Sequence, residues 1–195
     1  MNTAIFFGSP RPRGNTAKLT RPFAEELAAL GCDVRVMDLS DKDIRPCVGC
    51  YACQGVQDAY GCAIEDDMQA AVELIRWADL IVLSTPIYTW FCPGIMKNLL
   101  DRHFGLNKFY GTAKGSLWEG KSVAIVATHG YERAYACSPF ETGIQRLCEH
   151  SKLNYLGIFS AVDDDETGFV LTEQIEDDAR AFAARLAYDV AGLPD

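Results

Sequence analysis

The sequence predicts a doubly wound α/β domain, a three-layer sandwich around a five-stranded parallel sheet of order 2-1-3-4-5. Three observations carry this expectation. Five short runs rich in Val, Ile, Leu and Phe alternate with five stretches of helical spacing, and the series begins with a strand. The apolar runs are continuous rather than alternating, as in strands buried on both faces of a parallel sheet. The chain has 195 residues and is 49% hydrophobic, enough apolar material for one full core.

The strands are read at residues 3–8, 34–39, 79–85, 122–128 and 155–162. The helices are read at 15–30, 67–78, 93–102, 139–151 and 173–191. Gly31 suits the end of the first helix, where a left-handed residue closes the last turn. Pro22 conflicts with that helix, because it lacks an N–H and should bend it. Pro93 suits the first turn of the third helix, with Met96, Leu99 and Leu100 on its apolar face. Thr172, Gln174 and Ile175 suit the start of the last helix. The chain, residues 1–195, is expected to form one domain, with residues 40–66 as a cysteine-containing loop insertion.

The formal net charge is −9, which argues against nucleic acid or an anionic membrane surface as partner. The N-terminus lacks a basic region before its apolar run, and Ser84, Thr85, Pro86, Pro93 and Gly94 interrupt the most apolar stretch. A cytoplasmic location is therefore expected, where eight cysteines do not form a disulfide framework.

In such folds ligands bind outside the carboxyl ends of the strands, where the strand order reverses. The loop after strand one reads GSPRPRGNT, residues 8–16. The helix it opens carries Asn15, Thr16 and Lys18 where many helices place acids. Its positive pole is left open for an outside anion, with Ser9, Asn15 and Thr16 as donors and Arg11 or Arg13 as counter-charge. The loop after strand three brings Pro86, Ile87, Tyr88, Thr89, Trp90 and Phe91 over the sheet edge. That wall suits a flat apolar ring, or simply closes the core. A phosphate joined by a short chain to a planar ring describes a mononucleotide-like cofactor.

Cys47, Cys50, Cys53 and Cys62 have the spacing Cys-x2-Cys-x2-Cys-x8-Cys. Such steps can wrap one corner of an iron–sulfur cubane. Zinc, a redox-active pair such as Cys53 with Cys62, and free buried thiols remain open alternatives. Cys32, Cys92, Cys137 and Cys148 are scattered, with Cys92 near the presumed ring. His103, His129 and His150 are too dispersed for a metal site. Residues 163–166 form an acidic run, read as a solvated loop that would repel phosphorylated substrates if it bordered the site. Phe104, Phe109, Tyr110 and Trp118 have the apolar content of an interface or of a segment folded over its own core.

The motifs GSPR-x-x-GNT, CVGCYACQGVQDAYGCAIEDDM and TPIYTWFCPGIMKNLLDR occur in series. Together they resemble the NAD(P)H-dependent FMN reductase and iron–sulfur flavoprotein group of the flavodoxin-like superfamily, over roughly residues 1–165. The resemblance implies FMN as cofactor, with Ser9, Arg11, Arg13, Asn15 and Thr16 about its phosphate. It implies Pro86, Ile87, Tyr88, Thr89 and Trp90 against the isoalloxazine, with Thr128, Gly130 and Tyr131 closing over its other side. It further implies an oxidoreductase that passes electrons from NAD(P)H through FMN to a small-molecule or protein acceptor. No side chain is required as acid or base, so no catalytic residue is named. The alternative is an electron carrier using FMN and a [4Fe–4S] cluster at Cys47, Cys50, Cys53 and Cys62. A third reading makes those cysteines a redox switch on a partner-binding body. The group also implies a homodimer or homotetramer.

Overall fold

Strand β1 (Asn2–Phe7) leads through a loop into helix α1 (Asn15–Ala29), followed by β2 (Asp33–Asp38). Next come α2 (Met68–Trp77), β3 (Leu80–Pro86), α3 (Gly94–Arg102) and β4 (Ser122–His129). Helix α4 (Arg133–Ser151), β5 (Asn154–Val162) and α5 (Glu173–Ala191) complete the chain. The computed structural model describes residues 1–108, 115–163, 169 and 171–191. The five strands form one parallel sheet of order β2-β1-β3-β4-β5, as expected.

Alternate residues of the central strands point to opposite faces, and each face has its own core. On one side Ile5, Leu80, Val82, Ala124 and Val126 pack against Leu19, Phe23 and Leu27 of α1 and Ala179, Ala183 and Leu186 of α5. On the other, Phe6, Ile81, Leu83, Val123 and Ile125 meet apolar residues of α2, α3 and α4. Strands β3 and β4 are buried from end to end, which is why their sequences read as unbroken apolar runs. Edge strand β5 is mostly half-buried.

Gly8 shows how tightly β1 hands over to its loop. Its N–H donates to the Ser84 carbonyl at 2.7 Å. A Cβ there would lie 2.7 Å from Met96 Cε and 2.8 Å from Met96 Cβ, so only glycine lets α3 close on this strand end.

The element boundaries follow the sequence reading closely, with one correction. The fourth helix starts at Arg133, not at residue 139. Glu132 caps it, its carboxylate accepting from Ala134 N at 3.0 Å and Tyr135 N at 3.1 Å. Pro139 lies inside the helix instead of opening it. Helix α1 likewise runs through Pro22. Gly31 takes φ +82° just past the α1 terminus, and Thr172 Oγ accepts from Ile175 N at the start of α5.

The 40–66 segment is fastened to α3 by a buried ion pair. Side chains of Arg102 and Asp66 are 1% and 0% exposed. Arg102 Nη1 donates to Asp66 Oδ2 at 2.8 Å and Nη2 to Oδ1 at 3.1 Å, a bidentate arrangement. The same guanidinium donates to the Arg45 and Ile64 carbonyls and to Tyr60 Oη. Burial raises the Asp66 carboxyl, but the guanidinium and the backbone N–H groups of Arg45 and Met68 outweigh it and hold the group below the usual carboxylate range. Tyr60 is buried against Gly105, where a Cβ would fall 2.5 Å from its ring.

Removing one partner of this pair strands a buried charge. Arg102→Met should cost about 3–5 kcal/mol in urea unfolding. The double variant Arg102→Met/Asp66→Leu should recover part of that loss. Because Asp66 is depressed when folded, its contribution is present above an unfolded pKa of about 3.9 and is lost as pH falls through the folded value. Acid titration of stability should therefore flatten in Asp66→Asn.

Candidate functional site

The carboxyl edge of the sheet gathers two of the three regions singled out in the sequence. Ser9 is buried, and its hydroxyl accepts from Arg11 N at 3.2 Å and faces the Arg11 carbonyl at 3.3 Å. This turn brings the chain to Gly14, the residue before α1, which provides no side-chain cap. The first turn of α1 holds no acidic residue, so the N–H groups of Asn15, Thr16 and Ala17 lack the internal acceptors that later turns enjoy. Arg11 and Arg13 are exposed beside this pole and form no ion pair among the described residues.

The side chains of Asn15 and Thr16 are committed elsewhere. Asn15 Nδ2 donates to Asp163 Oδ1 at 2.8 Å, while its Oδ1 accepts from Lys18 Nζ at 3.1 Å. Thr16 Oγ1 pairs with Thr128 Oγ1 at 2.7 Å in a buried contact. The pole offers an anion backbone N–H and flanking arginine, with the second Asn15 amide proton and one hydroxyl proton of the Thr16–Thr128 pair in reserve.

Next to this pole lies a cavity of about 670 Å³. Pro86, Ile87, Tyr88, Thr89 and Trp90 form one side. Thr128, His129, Gly130 and Tyr131 form the other, and Asp163 also lines it. Tyr88 N donates to the Phe91 carbonyl at 2.7 Å and Phe91 N to the Tyr88 carbonyl at 3.0 Å. The two residues between them, Thr89 and Trp90, have φ of 51° and 65°. Such a primed turn ordinarily takes Asn or Gly, and left-handed backbone at two larger residues is strained.

The rings of Trp90 and Tyr131 lie parallel, 6.5 Å between centroids and 5° between planes. Tyr135 stands edge-on to both, at 5.6 Å and 5.7 Å. His129 braces this wall. The Tyr131 carbonyl can only accept, so His129 Nδ1 carries a proton and donates to it at 2.7 Å, leaving Nε2 to accept from Ser160 Oγ at 3.1 Å. Burial pushes the His129 imidazole below its ordinary value, partly offset by that bond to Tyr131.

The third region stands apart. Cys47, Cys50, Cys53 and Cys62 line a second cavity of about 430 Å³, together with Arg102, His103 and Phe104. Cys47 and Cys50 are exposed and all four thiols are free. Among the described residues no group of three or more His, Cys, Asp or Glu stands in a metal-binding arrangement. Lys108, buried beneath this segment, donates to the Cys53 carbonyl at 2.6 Å and the Tyr60 carbonyl at 3.3 Å. Burial lowers the Lys108 ammonium and raises the Cys53 thiol. Cys92 is buried, and that burial pushes its thiol up to about 11.

Sequence reasoning missed Asp163, which it read as part of a solvated acidic run, and Lys108. The position of Asp163 one residue beyond the carboxyl end of β5 was the available signal. Residues 164–166 of that run, and Phe109 and Tyr110, lie outside the described residues. Trp118 folds into the core, its Nε1 donating to Asn107 Oδ1 at 3.0 Å.

A parallel 2-1-3-4-5 sheet with helices on both faces defines the flavodoxin-like class. A solved NAD(P)H:quinone oxidoreductase from Methanothermobacter marburgensis shares this fold, with a TM-score of 0.68 at 17% identity over 100% of this chain and 99% of its own. The chain belongs to the family described as NADPH-dependent FMN reductase, whose family model matches residues 1–138. An iron–sulfur flavoprotein of Methanosarcina thermophila is 27% identical over 171 residues, 88% of this chain and 82% of that one. An iron–sulfur flavoprotein of Methanocaldococcus jannaschii is 36% identical over 95 residues, 49% of this chain. The chain covers 48% of that relative, about half its length.

The strained turn gives a direct test. Left-handed backbone costs an L-residue about 1–2 kcal/mol, and glycine's greater unfolded-state freedom takes back about 0.5–1 kcal/mol. Thr89→Gly is therefore expected to raise the urea midpoint at constant slope.

Proposed function

We propose that the protein is an FMN-dependent NAD(P)H oxidoreductase, with FMN lying across the carboxyl edge of the sheet. One observation carries this reading: a helix pole with no side-chain cap and no acid in its own first turn lies beside a cavity walled by aromatic and backbone groups, and two buried or half-buried hydrogen bonds, Thr16–Thr128 and Asn15–Asp163, join them. The residues fit the cofactor. The first-turn N–H groups of α1, with Arg11 and Arg13, would hold the phosphate, and the turn at Ser9 shapes that loop. Pro86, Ile87, Tyr88, Thr89 and Trp90 would face the ring from one side, and Thr128, Gly130 and Tyr131 from the other. The backbone N–H groups of the Thr89–Trp90 turn, which have no acceptor among the described residues, are available to acceptors on a ring edge.

Bound FMN would supply the redox chemistry, taking electrons from a nicotinamide cofactor and passing them to a small-molecule or protein acceptor. The chain would position the ring and fixes the Tyr131 wall through His129. No ionisable side chain in the cavity is needed to move a proton.

A second reading is favoured by the meeting of Cys47, Cys50, Cys53 and Cys62 on one cavity. Their donor chemistry suits a [4Fe–4S] cluster, which would make the protein an FMN and iron–sulfur electron carrier. Cys53→Ser would remove one ligand.

Two measurements test these readings, the first the flavin site common to both and the second the cluster that separates them. Titration with FMN should restore flavin absorbance to apoprotein, and Arg11→Ala/Arg13→Ala should weaken FMN about 10-fold or more while leaving riboflavin, which lacks the phosphate, nearly unchanged. Equal weakening of both ligands would remove the phosphate from that pole. Anaerobic reconstitution with iron and sulfide should reach about four of each per chain if the cubane forms, and Cys53→Ser should lower that yield. Retention below one iron per chain in the wild type would leave the oxidoreductase reading alone.

A further inference from the structure

We infer that Asp163 is the binding residue for the linker between the two ends of the ligand, and that it selects a linker bearing hydroxyl groups; this rests on the FMN reading above. Asp163 touches both halves of the site. Its N–H donates to the His129 carbonyl at 2.6 Å, which holds it against the cavity wall. Its Oδ1 accepts from Asn15 Nδ2 at 2.8 Å, in the first turn of α1. It also lines the ring cavity with Thr128 and Gly130.

The other polar link between the halves is a pair of hydroxyls, which carries no charge. The hydroxyls of Thr16 and Thr128 are buried and bonded to each other. Asp163 is different, because an ionised carboxylate accepts at about four lone-pair positions, and Asn15 occupies one of them. The complementary ligand must therefore donate at this point. Hydroxyl groups do so; phosphate oxygens and an apolar chain do not.

The same negative charge gives the ligand a direction. A phosphate beside Asp163 would be repelled, whereas Arg11 and Arg13 lie exposed by the free pole. The phosphate is pushed toward residues 8–14, the ring takes the cavity, and the hydroxylated chain crosses the carboxylate. The acidic residue that sequence logic set against phosphorylated ligands instead discriminates between their ends.

The test measures equilibrium binding of three flavins to wild type, Asp163→Ala and Asp163→Asn. FMN has ring, polyol and phosphate; riboflavin lacks the phosphate; lumiflavin has only the ring. Asp163→Ala should weaken FMN and riboflavin about 10- to 100-fold, the range for losing hydrogen bonds to a charged acceptor. Lumiflavin should change less than about twofold, because it makes no such bond. Asp163→Asn keeps the shape and one accepting oxygen, so it guards against misfolding; riboflavin should still weaken, by less than in Asp163→Ala. Equal loss for lumiflavin would reduce Asp163 to a piece of wall and overturn the inference. Tighter FMN binding by Asp163→Asn with unchanged riboflavin would overturn it too, by showing that the carboxylate only obstructs the phosphate. A wild-type protein that binds none of the three would overturn the FMN reading itself, an outcome distinct from either.

Discussion

Each central strand bonds to a neighbour on both sides, and helices cover both faces of the sheet, so unpaired backbone donors gather at strand and helix ends. This constraint places the candidate site. With all strands parallel, their carboxyl ends share one edge. The crossing point between β1 and β3 puts the opening of α1 next to the loop after β3. The aromatic wall, the hydroxyl pair and the arginines then decorate an edge that topology has already chosen.

The double-sided burial of β3 and β4 made those strands easy to read, because no polar alternation competes with the apolar run. The opening of α1 was equally plain, since a Gly-Asn-Thr turn lies between the strand and the helical spacing. The start of α4 was not. Pro139 suggested a first-turn proline, but Glu132 supplies a cap six residues earlier than a local rule would place it, and tertiary packing of Ala136 and Cys137 sustains the turn before the proline. Asp163 was illegible for another reason. Its meaning depends on Asn15, 148 positions away, and no local pattern reports such a meeting.

The cysteine segment is anchored mainly through backbone carbonyls. Arg102, Gln54, Asn98 and Lys108 all reach backbone carbonyls, in or beside it. Three side chains of the body, with Gln54 from the segment itself, thus replace hydrogen bonds that a helix or strand would have made. A long connection can keep a defined course on these terms. The buried Arg102–Asp66 pair is the deepest of these anchors, and it couples the segment to the same helix whose opposite end rests on Gly8.

The thiols are also sorted by reach. Burial drives Cys92 to about 11 and Cys148 to about 12, while Cys47 and Cys50 stand on the surface. A dissolved electrophile or peroxide meets the outer pair first, and the inner sulfurs are protected by both depth and protonation. Chemical injury to this molecule would therefore begin on a peripheral strap, leaving the hydrophobic interior to outlast it.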